Sequence, residues 1–398
     1  MRNKSLCCLI YIVGSAQFSV LAGNVQGIDN QAENNQNQYI VVLNTPQSIQ
    51  DNAFAQRQSF VQQQASSFAE QLHVPIIMQF SHAINGIVVK ADKQQLSSIK
   101  NNPNVKFVER DEIVSLEPEL SQPAVEQDPS WGLDRIDQHS LPLDHQYHYN
   151  FDGTGVTAYI IDTGITATHE QFENRASGKD KTSSSDCMGH GTHVAGIIGS
   201  TMYGVAKSVD LVGVKVLDCR GRGAFSTIVR GVDWVKEHAQ KPAVVNMSLG
   251  GRRSRTLDLA VTSLVDAGVP VVVAAGNSRR DACNYSPARV SNAITVGATD
   301  SKDNRSSFSN YGKCVDIFAP GTNIKSTWKG SSNDEVKYLS GTSMASPFVA
   351  GVVALYLQED PNLTPAEIKQ RLKERASPKK LKDIKTNSPN LLLYSQAD

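Results

Sequence analysis

Short runs of consecutive apolar residues recur after Trp131, and stretches with helical periodicity separate them. The runs that predict β-strands are residues 156–161, 211–216, 244–247, 269–274 and 294–296. The stretches that predict α-helices are residues 193–200, 226–238, 256–267 and 344–358, and a capping box at Thr364 begins a last helix. Strands that are apolar at nearly every position are buried on both faces. The alternation therefore predicts an α/β domain over residues 131–398, with a central parallel β-sheet flanked by helices in three layers.

A different pattern precedes this domain. Residues 39–43, 76–80, 86–90 and 105–108 predict four strands, with one helix after the first strand and another after the third. The apolar faces of these two helices are Phe54, Val61, Ala65, Phe68 and Leu72 in the first, and Leu96 and Ile99 in the second. The order βαββαβ is typical of a small α+β domain, which we predict over residues 39–117. Residues 118–130 hold three prolines among polar residues, which predicts an exposed linker with a processing site.

The first residues have the pattern of an export signal. Arg2 and Lys4 precede an apolar run at residues 6–13, and small residues suited to cleavage follow near Ala22. We predict a signal peptide over residues 1–22 and therefore a secreted protein; a buried N-terminal strand or helix is the alternative. Residues 23–38 are rich in Asn and Gln, which predicts a flexible leader.

The charge balance excludes two classes of partner. The 398 residues include 39 Lys and Arg and 39 Asp and Glu, so the formal net charge is zero. Nucleic acids and anionic membranes attract basic proteins, and we therefore expect no nucleic acid and no membrane as a partner. No segment after the signal reaches transmembrane length. A partner must be recognised by shape and hydrogen bonds instead.

The cysteines are consistent with export. Cys7 and Cys8 lie in the predicted signal peptide, and the four that remain are Cys187, Cys219, Cys283 and Cys314. An exported protein with four cysteines is expected to form disulfides. Four cysteines allow three pairings, and their spacing alone does not choose among them.

Three polar side chains stand where predicted elements begin or end. Asp162 follows a strand, His193 opens a helix in the motif of residues 189–196, and Ser343 opens another in the motif of residues 341–347. A serine hydroxyl attacks a carbonyl only when a base removes its proton, and imidazole titrates near neutrality. A carboxylate on the far ring nitrogen fixes the tautomer of that base. The three residues therefore predict acyl transfer with Ser343 as the nucleophile.

Each residue also has an ordinary structural use. Asp162 alone could form a turn, and Ser343 could cap its helix. His190 and His193 could bind zinc, but the glutamate of the His-Glu-x-x-His motif is missing, and we expect His190 to be a structural or surface residue. An inactive binding protein that keeps a protease fold is the other alternative, against which the intact set of site residues speaks.

The motifs, in the order Asp, His, Ser, resemble those of the subtilisin-like serine proteases. The sequence is most similar to the proteinase K and aqualysin branch, through residues 286–288, residues 306–310 and the spacing of the four cysteines. The resemblance implies a secreted serine endopeptidase that forms an acyl-enzyme on Ser343, acts on polypeptides and needs no cofactor for its chemistry. It further implies Asn277 as the side-chain oxyanion donor, the pairs Cys187–Cys219 and Cys283–Cys314, and a monomer.

The substrate site is also implied by the resemblance. One wall of the primary pocket would be Ser248, Leu249 and Gly250, the other Ala274, Ala275 and Gly276, and the strand that flanks the substrate would include Gly221, Gly223 and Phe225. Because neither wall carries a charge, we expect broad specificity with an apolar or aromatic residue before the scissile bond. Arg222 predicts a mild preference for acidic residues near it, with a solvated surface arginine as the alternative.

Two further features follow from the resemblance. The small N-terminal domain is similar to the subtilisin propeptide, which implies an intramolecular inhibitor that the enzyme cuts from itself. Structural calcium is implied at two oxygen-rich sets, which suit a hard cation. The first set is Asp316 with the carbonyls of Ser291 and Ala293, and the second is Asp134, Asp137, Gln138 and Asp144.

Overall fold

The structure is a computed structural model that describes residues 37–50, 53–117 and 130–396. The predicted signal peptide, residues 23–36 of the predicted leader and residues 118–129 of the predicted linker lie outside the described residues.

The N-terminal domain has the predicted βαββαβ order. Its elements are β1 (Gln38–Leu43), α1 (Phe54–Leu72), β2 (Ile76–Phe80), β3 (Gly86–Lys90), α2 (Lys93–Lys100) and β4 (Val105–Arg110). The strands form an antiparallel sheet in the order β2-β3-β1-β4. Alternate residues of β1 serve two cores: Val41 packs with the helices of this domain, whereas Ile40 packs with the next domain. Both faces of the small sheet are therefore buried, and a fully buried side chain of this size contributes about 1.5–3 kcal/mol.

The N-terminal domain ends with one further short strand after β4, and the second domain contains most of the chain. The elements that follow β4 are β5 (Ile113–Ser115), α3 (Trp131–Ile136), β6 (Thr157–Asp162), β7 (Ala176–Gly178), α4 (His190–Gly199), β8 (Asp210–Lys215), β9 (Arg222–Ala224), α5 (Phe225–His238), β10 (Ala243–Met247), β11 (Gly251–Arg252), α6 (Arg255–Asp266), β12 (Val271–Ala274), β13 (Tyr285–Ser286), β14 (Ile294–Thr299), β15 (Ile317–Pro320), β16 (Ile324–Thr327), β17 (Val336–Leu339), α7 (Thr342–Glu359), α8 (Pro365–Arg375), β18 (Ser377–Pro378) and β19 (Leu391–Leu392). The capping box predicted at Thr364 is present at the start of α8.

The central sheet has the order β18-β19-β15-β14-β12-β10-β6-β8-β7, and its neighbouring strands are parallel except for the β18–β19 pair. Alternation along β6 assigns its two faces: Ala158 and Ile160 pack with α4 and α7, whereas Tyr159 and Ile161 pack with α5 and α6. The predicted three-layer α/β fold is confirmed. Because β6, β10 and β12 are adjacent and parallel, the residues that follow them lie at one edge of the sheet.

The four helices predicted from the apolar pattern of this domain all begin earlier than predicted, α5 and α6 by one residue and α4 and α7 by more. Helix α4 begins at His190 instead of residue 193, and α7 begins at Thr342 instead of residue 344. The difference matters most for α4, because it moves His190 to the first helical position.

Both disulfides implied by the resemblance are present, as Cys187–Cys219 and Cys283–Cys314. The first joins the segment just before α4 to the turn just before β9. It therefore links two elements that border the site described below.

Candidate active site

The carboxylate that ends β6 is bound to a histidine that begins α4. Asp162 Oδ1 lies 2.7 Å from Nδ1 of His190, and both side chains are fully buried. Asp162 Oδ1 also accepts the N–H of Thr163 at 2.7 Å. A buried carboxylate on Nδ1 holds the imidazole in one tautomer and stabilises its protonated form.

Asp186 holds the first turn of α4 in place. Its Oδ1 accepts the N–H of Gly189 and its Oδ2 accepts the N–H of Thr192, so it satisfies donors that a helix start leaves unpaired. Gly191 then lies against the carbonyl of Gly164, where a Cβ would clash. These contacts fix the position of His190 beside Asp162, and the sequence analysis missed the role of Asp186.

The prediction that His193 is the partner of Asp162 is wrong. His193 Nε2 donates to the carbonyl of Lys337 at 2.9 Å, and its ring packs edge-on against Trp328. Although residues three apart lie near the same face of a helix, the His193 side chain is bound to the β16–β17 hairpin instead of Asp162. The expectation that His190 is an ordinary structural or surface residue is wrong for the same reason.

Ser343 is the second residue of α7. Its Oγ donates to the carbonyl of Ser248 at 3.2 Å, and its own carbonyl accepts the Ser248 hydroxyl at 2.8 Å. Helices α4 and α7 pack against each other. Their first turns carry His190 and Ser343, which lie at the carboxyl edge of the sheet beside Asp162 and Ser248. The positive end of the α7 dipole lies at Ser343, where negative charge is stabilised.

Asn277 lies beside the start of α7. Its Oδ1 accepts both the N–H and the hydroxyl of Thr342 at 2.8 Å. The oxygen of this side-chain amide is thus engaged, and its Nδ2 lies near Gly341. The amide is oriented as a donor next to Ser343.

A cavity beside Ser343 brings the predicted pocket walls together. Its lining includes all six predicted wall residues, Ser248, Leu249, Gly250, Ala274, Ala275 and Gly276, together with Ser343 and Asn277. One wall follows β10 and the other begins at the last residue of β12, and these two strands are neighbours in the sheet. The position of this cavity follows directly from the strand order.

The C-terminal tail of the N-terminal domain lies along the site as an added strand. β5 pairs antiparallel with β9 in the register Ile113↔Ala224, Val114↔Gly223 and Ser115↔Arg222, and Leu116 N–H donates to the carbonyl of Gly221 at 2.9 Å. Gly221 has φ +70°, and a Cβ there would lie 2.9 Å from the Leu116 side chain. Val114 packs with Phe225 in one buried cluster. The predicted residues Gly221, Gly223 and Phe225 therefore do lie along an extended peptide.

The first predicted calcium set does not fit calcium. Its three members come together, but around the ammonium of Lys369. Lys369 Nζ donates to the carbonyls of Ser291 at 2.8 Å and Ala293 at 2.6 Å, and lies 2.7 Å from Asp316 Oδ2. A metal ion at these oxygens would be repelled by the charge already present. The prediction of calcium at this set is wrong.

The second predicted calcium set consists mainly of acidic side chains. Asp134 and Asp137 lie in and just after α3, and burial raises the pKa of both carboxyls. Asp134 and Gln138 accept the N–H of Asp144 at 3.3 Å, and Asp137 accepts the N–H of His148. Oxygen donors near buried carboxylates match the preference of Ca²⁺. Within residues 37–50, 53–117 and 130–396, no group of three or more His, Cys, Asp or Glu side chains is arranged to hold a metal ion.

Comparison with known proteins agrees with this architecture. Residues 153–392 match the Subtilase family, and residues 38–117 match the Peptidase inhibitor I9 family. The alkaline serine exoprotease A of Vibrio alginolyticus is 50% identical over 365 residues, which are 90% of this chain and 67% of that protein. An extracellular serine proteinase of Thermus sp. (strain Rt41A) is 51% identical over 321 residues, which are 79% of this chain and 77% of that protein. Among solved structures, this chain is similar to the crystal structure of a cold-adapted subtilisin-like serine proteinase, with 56% sequence identity and a TM-score of 0.65. The match covers 67% of this chain and 98% of that one.

The fold and the site define a serine protease preceded by a peptidase-inhibitor domain. The chain belongs to the subtilase family, as its motifs implied. In the part of the chain that the structure describes, no helix combines the length and the apolar character needed to cross a bilayer.

Proposed function

We propose that this chain is a secreted endopeptidase, made as a precursor that cuts itself, in which Ser343 forms an acyl-enzyme. The observation that carries the proposal is the 2.7 Å contact of Asp162 with His190 beside the helix that begins at Thr342 and Ser343. The proposal includes a signal peptide that ends at residue 22, a leader that ends at residue 38, an inhibitor domain that ends at residue 117 and a linker that ends at residue 130. The extracellular relative supports export.

The catalytic cycle follows from these residues. His190 removes the proton of the Ser343 hydroxyl as its oxygen attacks the peptide carbonyl, and Asp162 stabilises the imidazolium. The side-chain amide of Asn277 and the N–H of Ser343 bind the oxyanion of the tetrahedral intermediate. The intermediate collapses, His190 gives its proton to the leaving amine, and the acyl group stays on Ser343. Water then attacks the ester with His190 again as the base, which restores the hydroxyl. No cofactor takes part in this cycle.

The substrate binds as an extended strand. β9 pairs with a strand of the same chain through main-chain hydrogen bonds. Because such bonds do not depend on side chains, β9 suits a polypeptide of any sequence. The uncharged walls of the cavity suit apolar and aromatic residues before the scissile bond, with broad specificity.

The N-terminal domain is an intramolecular inhibitor in this proposal. Its tail lies where a substrate would bind, and the match to a peptidase-inhibitor family supports the same role. The mature enzyme is a monomer, and a structural Ca²⁺ is held by the set of Asp134, Asp137, Gln138 and Asp144, where it would offset the buried negative charge.

The test is expression of the full precursor beside its Ser343→Ala variant. The wild type should lose its N-terminal domain, as measured by intact mass, and should hydrolyse a peptide with an apolar residue before the scissile bond. The Ser343→Ala variant should stay uncut and inert, and a fluorophosphonate should label only the wild type. As a matched control, Ser291→Ala removes an exposed hydroxyl at the opposite edge of the sheet and should behave as wild type. A Ser343→Ala chain that matures and cleaves peptide would show that another residue is the nucleophile.

A further inference from the structure

The tail of the inhibitor domain brings an acidic side chain into the primary pocket. The N–H of Leu116 donates to the carbonyl of Gly221, and Glu117 is the next residue. Glu117 lines the same cavity as Ser343 and the two pocket walls. The side chain that occupies a pocket expected to take apolar residues is thus a carboxylate.

Both oxygens of this carboxylate have donors. Glu117 Oε2 accepts the N–H of Asn277, and Glu117 Oε1 accepts the hydroxyl of Ser278. Hydrogen bonds to an ionised acceptor are about twice as strong as those between neutral groups. A carboxylate without such donors would not remain in a cavity of this kind, because its desolvation would be uncompensated.

The surroundings favour negative charge. The described residues that line the cavity carry no charge apart from Glu117 itself, so nothing among them repels a carboxylate. Exposed Arg279 and Arg280 follow Ser278 directly and add a positive potential. Arg222, for which the sequence suggested a preference for acidic residues, lies instead 3.6 Å from Asp218.

We propose that the primary pocket accepts glutamate before the scissile bond as well as apolar residues, and that Ser278 is the residue that gives it this specificity. The apolar walls hold the methylene groups of the glutamate, while Ser278 and the N–H of Asn277 bind its carboxylate. The inference rests on the proposed endopeptidase function and adds a substrate class to it.

The experiment uses enzyme matured from the full chain and three peptide p-nitroanilides that differ only in the residue before the scissile bond, as Glu, Gln or Leu. Gln has the shape of Glu without its charge. For the wild type we expect kcat/KM for Glu to equal or exceed that for Gln. In Ser278→Ala the ratio of kcat/KM for Glu to that for Leu should fall about tenfold, the size expected for loss of one charge-assisted hydrogen bond. The ratio should not change in Ser291→Ala.

The outcomes separate the two proposals. If the Leu peptide is cleaved but Glu is more than about tenfold slower than Gln, or if Ser278→Ala leaves the Glu-to-Leu ratio unchanged, the pocket does not bind a carboxylate and the inference is overturned. If no peptide is cleaved, the endopeptidase function itself fails, and this inference fails with it.

Discussion

His190 and His193 lie three residues apart on α4 and contact different parts of the molecule. His190 lies against Asp162 at the end of β6, and His193 lies against the β16–β17 hairpin. Ser326 of the same hairpin also donates to the carbonyl of His193 at 2.8 Å. The first histidine is therefore placed for chemistry and the second for packing.

Substitution of each histidine should separate these roles. His190→Ala removes the base and should lower kcat/KM of the folded enzyme by at least about 10⁴-fold. His193→Ala removes a buried hydrogen bond and should lower the free energy of unfolding by about 1–3 kcal/mol, while the surviving folded enzyme remains active. Peptide hydrolysis and urea unfolding measure the two effects. A greater loss of activity in His193→Ala than in His190→Ala would reverse the assignment.

For the individual residues of the site, the sequence identifies the residue types but not the correct histidine. Both histidines occur in one motif, and a helix starting at residue 193 would place His193 next to the strand end. Asp186 moves the start to His190 through bonds to backbone N–H groups, and local apolar periodicity carries no information about such a cap.

Lys369 of α8 replaces the cation that was expected near the starts of β14 and β15. It contacts two carbonyls and one carboxylate, and Lys373 lies 2.9 Å from Asp316 Oδ1 on its outer side. The ammonium therefore ties a surface helix to the edge of the sheet without a bound ion.

Calcium should stabilise the enzyme at one of the two sets only. Calcium should raise the melting temperature of the wild type, and Asp137→Asn should abolish this response because it removes a carboxylate from the proposed site. Lys369→Met should lower the free energy of unfolding by about 1–3 kcal/mol but keep the calcium response. Lys373→Met, a more exposed control, should have a smaller effect. Thermal unfolding in calcium and in chelator tests these expectations; loss of the calcium response in Lys369→Met would contradict them.

Most elements were predictable because their signals are local. The central strands of the sheet are apolar at most positions, and Thr364 marks the start of α8 by a local capping box. The contact of Lys369 with Ser291 joins residues that are 78 positions apart, and no local pattern indicates such a contact.

The two domains are joined through the helices of the second. Asp111 accepts the N–H of Ser226 at the start of α5, and Glu109 accepts the N–H of Thr256 at the start of α6. Carboxylates at helix starts are stabilised by the unpaired N–H groups and by the helix dipole. Near the middle of α5, Asp233 accepts the N–H groups of His82 and Ala83. The sequence predicted the inhibitor domain but gave no sign of these pairings, since each depends on the docked arrangement.

Docking of the inhibitor domain should weaken as the pH rises. A hydrogen bond to Asp233, together with the charge of Glu237, raises the pKa of His82 above 6.5, against the opposing effects of burial and of Arg57. The docked state therefore binds this proton more tightly than the separated domain. Its contribution is complete below pH 6.5 and is lost as the pH rises through the raised pKa. Burial also raises the pKa of Asp111, which acts in the same direction in the acidic range.

This effect can be measured on the complex that the proposed self-cleavage would form, as the activity released on dilution at about pH 6 and about pH 9. The dissociation constant should rise with pH, and His82→Gln should remove most of that rise. His73→Asn is the matched control, because His73 lies at the end of α1 with a left-handed backbone that asparagine tolerates. Equal pH dependence in wild type and His82→Gln would exclude His82 as its origin.

If the chain cuts itself as proposed, the pairing of β5 with β9 has a consequence for the separated domains. While residues 118–129 connect the two domains, the tail competes for the cleft at an effective concentration in the millimolar range, whatever the volume around the molecule. Once that connection is cut, the two pieces follow ordinary mass action. At high concentration the enzyme would then stay bound to its inhibitor domain and inactive. The same number of molecules in a larger volume would dissociate and become active. The surrounding volume would thus regulate the enzyme without any further signal.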